Sequence, residues 1–152
     1  MSTLSTAYDA IITKIESVLT SHERITNPYS LEQNSEKELT LGYGFAIGPA
    51  LNSKREIGCN RYFVRRDMII SVTRKQFKKQ LDVSGRSSVE KSLVEDFMSL
   101  VNSFEGFRNL GSVDVVNFEY QNDGGVEFVF GEKDNYVAIR GIFNLEYYEL
   151  IN

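Results

Sequence analysis

Few residues in this 152-residue chain are of a type that does chemistry near neutral pH, and they are scattered. His22 is the single histidine and Cys59 the single cysteine. Any histidine-based triad would have to run through His22, which reads instead as a partly exposed residue ending an amphipathic helix. Cys59 has no nucleophile motif around it and reads as a buried or half-buried thiol. One cysteine also excludes an internal disulfide framework and a cysteine-rich zinc site. Gly42, Gly44 and Gly48 look like a phosphate loop only superficially. A dinucleotide-binding turn follows a strand and opens a helix, whereas these glycines alternate inside a strand pattern that Gly48-Pro49 ends. Asp123 and Asp134 sit in turn-like stretches without the acidic repeat of a calcium loop. The residues therefore predict no catalytic centre, no cofactor and no metal.

The basic residues are the remaining candidates. The formal net charge is −4, but between Lys54 and Lys91 there are 11 basic residues against 4 acidic ones. The plainer reading of this asymmetry is solvated surface. The sharper one is a basic edge of one subunit meeting an acidic edge of the next. Nucleic-acid binding is the weaker alternative: on a strand, Arg61 and Arg65 would face one way and Arg66 and Arg74 the other, and the chain is acidic overall.

These residues must be positioned by an ordinary soluble domain: 41% of the chain is hydrophobic and 25% charged, at a length suited to one domain. No N-terminal signal pattern and no membrane-length apolar run is present. Ser5 or Thr6 is expected to cap a first helix, with Tyr8, Ile11, Ile12, Ile15, Val18 and Leu19 on one face and an end near His22. A polar connection from Glu23 to Glu38 follows. The next strand places Leu39, Leu41, Tyr43, Phe45 and Ile47 against Thr40, Gly42, Gly44, Ala46 and Gly48. Large residues on one side and small ones on the other predict a bare face approached closely by another segment. Pro49 to Asn60 reads as a loop. The following strand puts Tyr62, Val64, Met68, Ile70 and Val72 inward. Arg74 to Ser88 reads as a flexible basic arm, and Ser87 with Glu90 as the capping box of a second helix carrying Val89, Leu93, Phe97, Leu100, Val101 and Phe104.

From Val113 onward the alternation predicts a meander of three antiparallel strands. Tyr120 would face Val126 across a three-residue loop, Asn122-Asp123-Gly124, with Gly124 left-handed. A loop from Glu132 to Asn135 would set Phe130 against Val137 and Phe128 against Ile139. Phe143 to Leu150 would then extend beyond this partner, towards the first or second strand or a neighbouring subunit; pairing within the chain is preferred. The fold class is α+β, a mainly antiparallel sheet with two helices packed on one face.

Taken together, the first helix, the segment Leu41-Gly42-Tyr43-Gly44-Phe45-Ala46-Ile47-Gly48-Pro49, the long strand from Tyr62 to Arg74, the second helix and the ending Phe143-Asn144-Leu145-Glu146-Tyr147-Tyr148-Glu149-Leu150 resemble the tail-terminator and tail-completion proteins of long-tailed bacteriophages. The likeness is one of element order, size and patterning along nearly the whole chain. It implies a virion structural protein, made in the host cytoplasm, that forms a ring, usually hexameric, at the end of the tail tube. Its partners would be other copies of itself, the tube protein and a head-completion or connector protein. DNA would pass through without sequence-specific contact, and no membrane, cofactor or catalysis is implied. The expected subunit contacts are Arg74, Lys75, Lys78, Lys79 and Arg86 on the arm and Phe143, Leu145 and Tyr147 on the last strand. Another phage neck protein and a small-ligand-binding enzyme using Gly42 to Gly48 are the rival readings.

Overall fold

The computed structural model describes residues 2–55, 60–76, 83–130 and 134–150. It is an α+β fold with three helices and a mixed five-stranded sheet. The order along the chain is α1 (Thr3–Val18), β1 (Glu23–Arg24), a 3-10 turn (Leu31–Gln33), α2 (Glu36–Thr40), β2 (Leu41–Arg55), β3 (Arg61–Gln76), α3 (Val83–Glu105), β4 (Val115–Phe130) and β5 (Asn135–Leu150). Across the sheet the order is β1-β2-β3-β5-β4. Only the short β1 runs parallel to its neighbour; the other junctions are antiparallel.

α1 begins one turn earlier than expected. Ser2, not Ser5 or Thr6, is the N-cap, its hydroxyl accepting from the Ser5 amide at 3.0 Å. The Glu149 carboxylate, from the far end of the chain, accepts from the Thr3 and Leu4 amides at 2.7 and 3.1 Å. An anion at a helix N-terminus satisfies amides that have no partner within the helix and favours the helix dipole. The apolar stripe of α1 buries Ala7, Ile11 and Ile15 in a core shared with α3 and the inward residues of the sheet.

That core is aromatic at its centre. Phe118 and Phe143 stack with centroids 5.2 Å apart, and Phe104 meets Phe118 edge-on at 4.9 Å. Such pairs add about 0.5–1.5 kcal/mol each beyond the area they bury. Phe97 occupies the space left by Gly141, where a Cβ would fall 2.3 Å from the ring.

The meander is the main correction. β4 runs unbroken from Val115 to Phe130, so one long hairpin replaces three strands. The Asp-Gly-Gly stretch makes a bulge rather than a reversal: Gly125, not Gly124, has positive φ (74°), and its amide donates to Asp123 Oδ1 at 2.7 Å. Register is displaced by two residues from expectation, with Phe128 opposite Val137 and Val126 opposite Ile139. Parity survives such a shift, so Val137 and Ile139 still face the core.

Other boundaries also move. β2 continues past Gly48-Pro49 to Arg55, with irregular register between Ile47 and Asn52 that accommodates the proline. α3 starts by Val83, so Ser87 and Glu90 lie within the helix and form no capping box. The arm expected over 74–88 is likewise largely structured, Arg74 to Gln76 lying in β3 and Val83 to Ser88 in α3. Cys59, Phe77, Lys78, Lys79 and Leu81 lie outside the described residues.

The connection from Glu23 to Glu38 is built rather than slack. Asn34 donates to the carbonyls of Asn27, Ser30 and Leu31 and accepts from the Asn27 amide at 2.7 Å. This tie folds Ile25, Leu31 and Leu39 onto Val129, Tyr136 and Ala138, a second cluster on the opposite face of the sheet.

Candidate functional site

Phe143, Leu145 and Tyr147 are turned into the chain's own core. β5 lies inside the sheet, paired with β3 along its whole length and with β4 on its other side, and these three side chains are at most 2% exposed. The segment from Phe143 to Leu150 takes the second long strand as its partner within the chain, as preferred from its parity. The described arm residues are also engaged at home. Lys75 meets Asp134 at 2.9 Å, and Arg86 lies beside Glu90 at 3.8 Å and over the Phe128 ring at 5.2 Å.

Arg74 turns inward. Its Nε donates to Asp96 Oδ2 at 2.7 Å and a terminal nitrogen to Oδ1 at 3.2 Å, a forked grip on one carboxylate. His22 completes the cluster, its Nε2 lying 3.2 Å from Asp96 Oδ2. Expected as a partly exposed residue ending α1, His22 lies beyond that helix; the residue is half-buried and its side chain is only 6% exposed. Burial opposes charge on Asp96, yet hydrogen bonds from His22 and Arg74 hold its carboxyl below the ordinary aspartate range. Three elements thus meet here: the end of the α1 connection, β3 and α3. The arrangement clamps them together, and among the described residues no hydroxyl or thiol nucleophile is bonded to the histidine.

The remaining arginines are dispersed. Arg66 donates to the Gly48 carbonyl at 3.0 Å, Arg65 sits 3.7 Å from Glu146, and Arg61 lies over the Tyr148 ring at 3.9 Å. These assignments divide the basic residues between both faces of β3, which does not make a single stripe for a phosphate backbone.

The glycines of β2 have a packing cause. A Cβ on Gly42 would stand 2.2 Å from the Glu38 carbonyl oxygen, and one on Gly44 would stand 2.5 Å from Ser71 Oγ, with Pro28 next to it. The bare face is covered by the connection and by β3 hydroxyls, which is the close approach the large-small alternation predicts. A shallow cavity of about 490 Å³ lies nearby between Tyr8, Arg24, Pro28, Tyr29, Phe45 and Ile47. Among the described residues no group of three or more His, Cys, Asp or Glu side chains is placed to hold a metal. No helix among them is long and apolar enough to cross a membrane.

What the sequence did not reveal is the state of the two sheet edges. β4 is terminal in the sheet, so its outer edge carries no strand among the described residues. On the other side β1 pairs only with Gly42 and Tyr43; beyond it no strand among the described residues flanks β2, whose residues 44–46 and 48 are nevertheless buried, so that its exposed edge begins at Pro49. Apolar side chains stand exposed along both: Val116 and Phe128 on β4, and Leu51, 58% exposed, on β2. Long open edges template pairing with another chain. The only signal for them in sequence was length: β2 and β4 each outrun the segment that their alternation suggested.

Compared with known protein families and with curated proteins, the chain matches none.

Proposed function

We propose that this chain is a virion structural protein that assembles into a ring, hexameric as in the family it resembles, at the end of a phage tail. The ring would stop polymerisation of the tail tube and offer a surface to the head-completion or connector protein. Its virion location and its tube and connector partners belong to the same proposal, as does the passage of DNA without sequence-specific contact. The architecture, taken as two long helices, α1 and α3, on one face of a mainly antiparallel sheet, agrees with the element order on which the resemblance rests.

The observation that carries the reading is a pair of edges on opposite sides of one sheet, β4 along its length and β2 from Pro49 to Arg55, that carry no strand among the described residues. Two different, non-identical surfaces on one molecule suit head-to-tail association, which closes into a ring when the rotation between copies permits. Another neck or connector protein of the same virion axis is supported by the same feature. The rival reading, a small-ligand-binding enzyme using Gly42 to Gly48, has less support, because Glu38 stands against Gly42, Ser71 and Pro28 against Gly44, and Asp67 against Gly48.

The test is function at a tube end. Added to polymerising tail-tube protein, the purified chain should shorten the tubes and appear as a cap at one end in negative-stain images. Tubes of unaltered length with bare ends, at a saturating excess of the chain, would contradict the terminator role.

A further inference from the structure

We infer that the outer edge of β4 in one copy pairs antiparallel with the exposed part of the outer edge of β2, from Pro49 to Arg55, in the next copy. The pairing presupposes the ring proposed above and specifies its seam.

Strand direction comes first. β2, β3, β5 and β4 alternate in direction across the sheet. Placing β4 of one copy beside β2 of the next, with both copies in the same orientation, continues that alternation without a break. Each junction between copies is then another antiparallel pair, and the sheet runs on around the assembly. β2 is exposed only from Pro49, and its residues Ala50 to Ser53 are level, across the sheet, with Phe118 to Val115 at the beginning of β4.

Charge selects this pairing over the symmetrical ones. β4 carries Glu119, Asp123 and Glu127 and no basic residue, while β2 carries Lys54 and Arg55 and no acidic residue. The sheet registers put Lys54 on the same face as Phe63 and Arg65, and Glu119 on the same face as Asn144 and Glu146, which is one continuous side of the sheet. Across a head-to-tail seam, Lys54 and Glu119 of successive copies share that side, Lys54 at the level of Tyr148 and Glu119 at that of Asn144. An edge paired with its own copy across a two-fold axis would set like charges against each other, which is destabilising in cross-strand positions. β2 is interrupted by Pro49 and both strands carry register irregularities, which limit pairing to the segments between them. β4 contains no proline, and Val116 and Phe128 are 48% and 42% exposed.

The experiment uses two double variants of the full chain, each reversing one edge, checked for native circular dichroism. Asn52→Glu with Lys54→Glu makes the β2 edge acidic; Glu119→Lys with Gln121→Lys makes the β4 edge basic. Masses are read by light scattering and sedimentation velocity. Each variant alone should lose assembly, with at least a tenfold weaker association than wild type. An equimolar mixture should regain the wild-type mass, because every seam in an alternating ring then joins opposite charges. Wild-type assembly should itself weaken as salt is raised, since these charges are exposed. Full assembly of either variant alone, a mixture that stops at dimers, or a wild-type ring indifferent to salt would overturn the seam while leaving the ring standing. A wild-type chain that stays monomeric at all concentrations would overturn the ring itself.

Discussion

Asp96 shows how much one carboxylate can organise. It accepts from both Arg74 and His22, so its removal strands two buried or half-buried donors at once. Asp96→Ala should lower the unfolding free energy by about 1–3 kcal/mol, measured by urea denaturation at neutral pH. The pH dependence has a definite sign. A carboxyl whose pKa is lower in the folded than in the unfolded chain contributes fully above the unfolded value and loses that contribution as pH falls through the folded one. Since Asp96 is shifted downward, wild-type stability should decline from about pH 5 towards lower pH. Asp96→Asn should flatten that decline; an acid limb unchanged by the substitution would show that other carboxylates carry it. None of this was legible at the residue level. His22, Arg74 and Asp96 lie far apart in the chain and belong to no motif, so only the packing of α3 against β3 brings them together.

Among the elements, β5 decides the most, because it lies between β3 and β4 and carries the centre of the core. Phe143 is fully buried and contacts Phe97, Phe104, Phe118 and Tyr120 through its ring. Phe143→Ala should cost about 3–5 kcal/mol of stability, read from the denaturation midpoint. A variant that kept wild-type stability but failed to assemble would restore Phe143 to an interface. The strand faces were legible in part because a period of two survives errors in register: Val64, Met68, Ile70, Val72, Val137, Ile139 and Leu145 are buried as the alternation implied. Tyr62, Val116 and Phe128, expected on the same faces, are exposed, with Val115 and Val129 buried in β4 instead. The large-small alternation of β2 was legible for the same reason, since it reports what can approach each face. Turns were less so. Asp123-Gly124-Gly125 has the chemistry of a reversal, yet the same left-handed glycine also makes a bulge, and only the partner strand determines which forms. The connection over 23–38 was unreadable for another reason. Ile25, Leu31 and Leu39 obey neither helical nor strand spacing, and their burial depends on the Asn27–Asn34 tie.

At the scale of the whole molecule, the uneven charge and the open edges describe the same object. The sequence reading placed its expected contacts on a basic arm and on the last strand. The structure instead puts the last strand inside the sheet and ties the described arm residues to their own chain, and the proposed seam lies on the lateral strands β2 and β4. Those strands became candidates only when the sheet order was known, because position in a sheet is set by long-range pairing and not by local pattern. The most direct measurement of the central claim is the mass of the purified chain over a wide concentration range, joined to images of the same sample. A single closed species of several copies with a central opening is the predicted result. A particle of 17.3 kDa at every concentration, with no ring in the images, would contradict it.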